Sequence, residues 1–126
     1  MYDLKILLCD DSMLIRKKLK GALAELGFTN LFEAIDGEEA VTFCRTEQPD
    51  LVLMDIVMPK KDGIEALQEI KIINPAIHVV MASSVGTQSN LIKALKLGAD
   101  NFLQKPIQVD IIVDIAKKIV EDRGVQ

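Results

Sequence analysis

The sequence predicts an α/β fold in which five parallel strands form a doubly wound sheet with helices on both faces. Five short apolar runs alternate with five amphipathic segments along the 126 residues, the order typical of repeated βα units. The first, third and fourth runs are almost continuously apolar, as expected for central parallel strands that are buried on both sides. Right-handed crossovers between such strands favour a doubly wound topology.

The strands are predicted from apolar runs that end at a polar or turn-forming residue. The three most apolar runs are KILLC, DLVLM and IHVVMA, at residues 5–9, 50–54 and 77–82. The other two runs are residues 31–35 and 101–104. Each run has the length of a strand and is followed by a helical pattern, so each is assigned to one βα unit.

The helices are predicted from apolar residues at three- or four-residue spacing, and their ends from capping and turn-forming residues. Ser12 caps the first helix and Gly27 ends it. The second helix begins at Asp36-Gly37 and continues through Thr46. The remaining helices are predicted at residues 64–73, 88–97 and 108–122.

Composition indicates one globular domain spanning residues 1–126. Hydrophobic residues make up 49% of the chain and charged residues 27%, the balance of a soluble globular protein. A domain of this length can bury enough apolar surface to fold without a metal or a disulfide. The first residues lack the features of a signal peptide, and no apolar stretch approaches the roughly 20 residues of a membrane span. We therefore expect a cytoplasmic protein without membrane contacts, in which Cys9 and Cys44 are buried, reduced thiols. The net charge of −4 argues against nucleic-acid binding.

Reactive polar residues follow the strands at one edge of the predicted sheet. In parallel α/β sheets the carboxyl ends of the strands form the ligand-binding edge. The residues at those ends are Asp10, Asp11, Asp55, Ser83, Ser84 and Lys105. Three carboxylates repel one another unless a cation lies among them, and Mg²⁺ is the natural candidate because it prefers oxygen ligands. A carboxylate beside a metal can attack phosphorus, and a lysine and a serine hydroxyl can bind the phosphoryl oxygens.

In these residues the sequence resembles the receiver family of two-component response regulators, most closely the small chemotaxis (CheY-like) regulators. The resemblance rests on four motifs in order along nearly the whole chain: CDDS at 9–12, LVLMDIVMPKKDG at 51–63, VVMASS at 79–84 and FLQKP at 102–106. It implies a flavodoxin-like receiver fold with strand order 2-1-3-4-5, five helices and no output domain.

The resemblance assigns Asp55 as the phosphoacceptor. It implies that Asp10, Asp11 and Asp55 hold Mg²⁺ together with the backbone carbonyl of Val57. Val57 and Val85 stand where several relatives carry polar or charged groups. Because two valines cannot orient a hydrolytic water, we expect a long-lived phosphoaspartate. Such a protein would catalyse only its own phosphorylation and dephosphorylation and would not otherwise be an enzyme.

The resemblance also implies how the phosphoryl group is recognised. Ser83 and Lys105 would bind its oxygens, helped by the backbone N–H of Ser84. Phe102 lies at the position of an aromatic switch residue, whose ring would turn inward as Ser83 moves toward the phosphate. The Lys105-Pro106 peptide bond is expected to be cis.

The implied partners are a histidine kinase or phosphotransfer protein as the phosphoryl donor, and a target protein bound noncovalently by a monomer. The surface formed by the fourth helix, fifth strand and fifth helix is the family's usual output surface. A flagellar motor switch or a phosphatase would be its target in chemotaxis, which the GALAELGF segment at residues 21–28 favours.

The first and last helices carry further candidate surfaces. The basic residues of the first helix are Arg16, Lys17, Lys18 and Lys20, a docking surface for the donor or simply a solvated face. The last helix has one apolar stripe of Ile111, Ile112, Ile115 and Ile119 and a second of Val109, Val113, Ala116 and Val120. One stripe should face the sheet, and the second either packs on the first helix or is exposed to a partner.

Three alternative functions are considered. An aspartate-nucleophile phosphatase of the haloacid dehalogenase type would need an Asp-x-Asp motif, whereas Asp10 and Asp11 are adjacent, and the chain is too short for its cap. A receiver scaffold that is never phosphorylated would not need the intact aspartate set. A sporulation-type phosphorelay intermediate is compatible with the same residues. His78, at the opposite end of the predicted sheet, is assigned a structural role.

Overall fold

A computed structural model describes residues 3–84 and 88–124. In these residues the elements are β1 (Ile6–Cys9), α1 (Met13–Glu25), β2 (Leu31–Ala34), α2 (Gly37–Glu47), β3 (Leu51–Asp55), α3 (Gly63–Ile73), β4 (His78–Ser83), α4 (Gln88–Lys96), β5 (Asn101–Gln104) and α5 (Val109–Gly124). All strand pairs are parallel, in the order β2-β1-β3-β4-β5. The predicted doubly wound fold is confirmed.

The sheet separates two hydrophobic cores, because successive side chains of a strand point to opposite faces. α1 and α5 cover one face, where Leu23 and Ile112 are fully buried. α2, α3 and α4 cover the other face, where Leu67 and Ile70 are fully buried. The side chains of β1 and β3 are buried along the whole strand, as predicted for central strands.

Strand ends differ from the sequence prediction by one residue where a polar group redirects the backbone. β2 ends at Ala34 rather than Ile35, because the Ile35 N–H donates to Glu39 Oε1 at 3.0 Å instead of continuing the ladder. Asp36 caps α2 by accepting the Glu39 N–H at 2.8 Å. β3 extends through Asp55, so this residue is held by the sheet itself.

The second apolar stripe of α5 packs against α1. Val113 and Ala116 are buried in the same core as Leu19 and Leu23 of α1. Of the two expectations for this stripe, packing on the first helix is therefore confirmed. Ile111, from the other stripe, is 39% exposed.

The predicted positions of the two cysteines and of His78 agree with the structure. Cys9 and Cys44 are buried and free, and burial raises the pKa of both thiols. His78 begins β4, at the end of the sheet opposite Asp55, with its Nδ1 3.8 Å from Asp100 Oδ1. Across the described ranges, no helix combines the length and apolar character needed to cross a membrane.

Candidate functional site

Three carboxylates converge at the carboxyl edge of the sheet. β1 and β3 are neighbours, with Cys9 opposite Met54, so the residues that follow lie side by side. Oxygens of Asp10, Asp11 and Asp55, one from each, lie within 4.8 Å of one another. Asp10 and Asp55 are buried whereas Asp11 is exposed, so the group is accessible from solvent on one side.

Lys105 lies between two of these carboxylates. Its Nζ donates to Asp10 Oδ2 at 2.8 Å and lies 3.2 Å from Asp55 Oδ1. Its backbone N–H donates to the Ser83 carbonyl at 2.8 Å, which ties the end of β5 to the end of β4. The Lys105-Pro106 bond is cis, as the resemblance implied. The lysine thus supplies a positive charge within the cluster of three carboxylates.

The electrostatics of the three carboxylates and Lys105 favour binding of a further cation. Burial raises the pKa of Asp55, the charge of Asp10 raises it further, and Lys105 offsets only part of this. Burial alone would lower the pKa of Lys105, but its contacts with Asp10 and Asp55 outweigh that effect and raise it. The ammonium is therefore charged at neutral pH, and three carboxylates against one ammonium leave excess negative charge.

The donor set fits Mg²⁺. This ion takes oxygen ligands and commonly binds one or two carboxylates while it keeps several waters. Asp10 Oδ1 accepts the Ser12 N–H at 2.8 Å and Oδ2 accepts from Lys105, yet each oxygen has a second lone pair. The exposed carboxylate of Asp11 leaves room for the ion's waters.

The remaining predicted site residues lie around this group. Asp55 pairs with Ala82, so Ser83 is one residue further along the neighbouring strand, and it is buried. Ser84 is exposed and lines a pocket beside Lys105. Val57 follows β3 with a side chain that is 71% exposed. The structure brings these residues to one edge, while the roles of the Val57 carbonyl, the Ser83 hydroxyl and the Ser84 N–H stay predictions.

Phe102 lies on β5, opposite Met81 of β4. Its ring is half-buried and packs against the core beneath α2, α3 and α4. Phe102 thus lies on the strand next to the one that carries Ser83. The movement of the ring remains a prediction.

Arg16 does not belong to an exposed basic surface, and that part of the sequence interpretation was wrong. The side chain is buried, with one partner in the turn after β1 and another on β2. Its Nη1 donates to the backbone carbonyl of Asp10 at 2.7 Å, and its Nε donates to Glu33 Oε1 at 2.9 Å. Lys20 Nζ lies 3.3 Å from Glu33 Oε2 and so is also engaged. Lys17 and Lys18 remain exposed.

Arg16 and Glu33 are connected to the site through the Asp10 carbonyl, but neither comes directly after a strand, so neither is predicted as a site residue. Helical spacing contains the signal, because Arg16 lies three and seven residues before Leu19 and Leu23, the buried positions of α1. A charged residue on a buried helical face needs a partner of opposite charge. Glu33 in the neighbouring strand of the fold is that partner.

The comparisons with known proteins identify the family. Residues 6–117 match the model of the response regulator receiver domain. The chain belongs to this receiver family. The receiver domain is 41% identical over 114 residues to the chemotaxis protein CheY of Bacillus subtilis, covering 90% of this chain and 95% of that protein.

Solved structures agree with this receiver assignment. A CheY-like receiver domain protein from Methanospirillum hungatei superposes with a TM-score of 0.90 at 25% identity, covering 99% of this chain and all of that one. The CheX-CheY-BeF3-Mg complex from Borrelia burgdorferi superposes with a TM-score of 0.83 at 31% identity, covering 98% and 90%. The family match favours a receiver over the haloacid dehalogenase type of phosphatase.

Proposed function

We propose that this receiver domain is a phosphorylation switch that accepts a phosphoryl group on Asp55 from a histidine kinase or a phosphotransfer protein. The observation that carries the proposal is the convergence of Asp10, Asp11 and Asp55 with Lys105 placed between two of them. Mg²⁺ bound by these carboxylates would neutralise the oxygens of the transferring group. The protein would catalyse only its own phosphorylation and dephosphorylation.

The residues of the chain have distinct tasks in this reaction. An Asp55 carboxylate oxygen forms a bond to phosphorus while the bond from phosphorus to the donor breaks, and the donor keeps that electron pair. Lys105 Nζ, 3.2 Å from Asp55 Oδ1, binds a phosphoryl oxygen as charge develops. The Ser83 hydroxyl and the Ser84 N–H bind the others.

The surface next to the site suits a phosphoryl donor. A pocket of about 370 Å³ lies between α1 and the segment after β5. Its lining is mostly apolar, with Ile15, Leu19 and Ile107, and it also includes Lys18 and Lys105. An apolar side chain of the donor would anchor here, beside Ser84 and Lys105.

The output surface would be formed by α4, β5 and α5. Large apolar side chains are exposed there, with Ile92 and Leu95 on α4 about half exposed and Ile111 on α5 39% exposed. Chemotaxis is the proposed setting, since several relatives named CheY match 90% or more of the chain at 36–41% identity. A flagellar motor switch protein or a phosphatase is the proposed target, in the cytoplasm.

Intact mass after incubation with acetyl phosphate tests the proposal. We expect wild type to gain one phosphoryl group only when Mg²⁺ is present, and Asp55→Asn to gain none. Asp110→Asn, which removes an exposed carboxylate from α5, is the matched control and should be labelled like wild type. Absence of any adduct would support a scaffold function instead. Labelling that persists in Asp55→Asn would place the acceptor elsewhere, with Asp10 examined first.

The phosphoaspartate is expected to be long-lived because Val57 offers no polar group to a hydrolytic water. Val57→Asn adds an amide at this exposed position near Asp55 and should speed dephosphorylation several-fold. Phosphate release after removal of the donor measures the rate, with Val57→Ala as the apolar control. An unchanged rate in Val57→Asn would contradict the expectation. Val85, the other valine in this argument, lies outside the described residues.

A further inference from the structure

We infer that Arg16 is a positioning residue that holds the acidic pair, Asp10 and Asp11, in place and thereby sets the affinity of the site for a divalent cation. The inference rests on the proposed function, because it takes the group of Asp10, Asp11 and Asp55 to be the cation site.

Arg16 contacts the backbone of the acidic pair. Arg16 Nη1 donates to the carbonyl oxygen of Asp10 at 2.7 Å, a short charge-assisted hydrogen bond. That carbonyl belongs to the peptide unit that joins Asp10 to Asp11. The Asp10 N–H donates to the Ala34 carbonyl at 3.2 Å, so the backbone of Asp10 is held on both sides. Because Asp11 is exposed, the direction of its carboxylate depends on the geometry of this peptide unit.

The guanidinium of Arg16 is itself held in place. Its Nε donates to Glu33 Oε1 at 2.9 Å, and Lys20 Nζ lies 3.3 Å from Glu33 Oε2. Burial alone would raise the pKa of Glu33, but the hydrogen bonds from Arg16 and Lys20 outweigh it and lower the pKa. Glu33 is therefore ionised, and the planar guanidinium connects β2 to the turn after β1.

Arg16 could affect cation binding through its charge or through its hold on the ligands, and the two effects have opposite signs. A positive charge near a cation site repels the cation, so removing a charge that acted only through space would strengthen cation binding. Groups that orient metal ligands act in the opposite direction, and their loss typically weakens metal affinity about 10- to 100-fold. The two roles of Arg16 thus predict changes of opposite sign.

Titration with Mn²⁺, followed by the electron paramagnetic resonance signal of the free ion, measures the affinity directly. We expect Arg16→Gln to weaken Mn²⁺ binding by about tenfold or more. Arg16→Lys keeps the charge but offers one nitrogen in place of the two that contact Asp10 and Glu33, and should recover only part of the affinity. Lys17→Gln removes an equal charge from the exposed face of α1 and should bind like wild type or slightly more tightly.

Arg16→Gln binding as tightly as wild type, or more tightly, would overturn the inference, as would an equal weakening in Lys17→Gln. If Arg16→Gln does not fold, Glu33→Gln replaces it, because it keeps the guanidinium and removes the ionised anchor. Severalfold weaker binding in Glu33→Gln supports the inference, and unchanged binding overturns it. Wild type that neither binds Mn²⁺ nor is labelled by acetyl phosphate would defeat the proposed function itself. Binding by wild type and by Arg16→Gln alike would defeat only the inference.

Discussion

Replacing Lys105 by alanine is expected to slow phosphorylation of Asp55 by about 100-fold or more, the typical cost of removing one preorganised donor to a developing oxyanion. The lysine Nζ already lies 2.8 Å from Asp10 Oδ2 and 3.2 Å from Asp55 Oδ1, so it needs little movement to reach a phosphoryl oxygen. Its high pKa keeps it charged throughout the neutral range.

The rate of mass gain from acetyl phosphate at saturating Mg²⁺ measures this effect. Lys117→Ala, which removes an exposed lysine from α5, is the control and should be labelled at the wild-type rate. A rate in Lys105→Ala within about threefold of wild type, well below the loss expected for an oxyanion donor, would contradict the assigned role. Circular dichroism of the variant separates a catalytic loss from a loss of structure.

The Lys105→Ala protein should also differ from wild type in how its stability depends on pH when no divalent cation is present. Burial and Asp10 raise the pKa of Asp55 above its ordinary value of 3.8, and removing Lys105 raises it further. The folded state then binds the proton more tightly than the unfolded state, so stability falls as pH rises from the ordinary value through the raised one. Urea unfolding at about pH 4 and pH 7 should show that the free energy of unfolding falls more between these two pH values in Lys105→Ala than in wild type.

Gly63→Ala is expected to destabilise the protein by about 2–3 kcal/mol, the cost of placing an extra carbon in a filled space. A Cβ at Gly63 would lie 2.1 Å from the backbone oxygen of Asp55 and 2.9 Å from Ile56 Cα. The Gly63 N–H also donates to the Ile56 carbonyl at 2.8 Å, so the two segments cannot separate without losing this bond. Relief of the clash would displace Asp55, and we expect slower phosphorylation as well.

Thermal unfolding measures the first effect, and we expect the melting temperature of Gly63→Ala to fall by about 10 °C, at roughly 4 °C per kcal/mol for a domain of this size. Gly21→Ala is the matched control, because a Cβ at this position of α1 meets no atom within 4 Å. It should be neutral or stabilising by up to about 1 kcal/mol, since alanine favours helix over glycine. Equal melting temperatures for the two variants would contradict the close-packing argument.

The fold class and the residues that meet at the carboxyl edge of the sheet follow from local patterns in the sequence. Hydrophobic periodicity is a local property, so alternating strand and helix patterns identified all five βα units. The functional edge followed from one rule, since residues that come directly after parallel strands meet at the same edge. Asp10, Asp55 and Lys105 were found in this way, and the structure places them in contact. Strand ends differ from the prediction by one residue, because side chains such as that of Glu39 compete for the last backbone donors of a strand.

Which charges are buried and which surfaces are covered depends on the packing of the elements against one another. Arg16 was read as part of a basic face, but its partner Glu33 is 17 residues away and meets it only when β2 lies beside β1. The second apolar stripe of α5 was open to two interpretations until Val113 was placed against α1. In both cases the outcome depends on contacts between elements distant in the chain. Local patterns record that a side chain needs a partner, whereas only the packed fold determines which partner it finds.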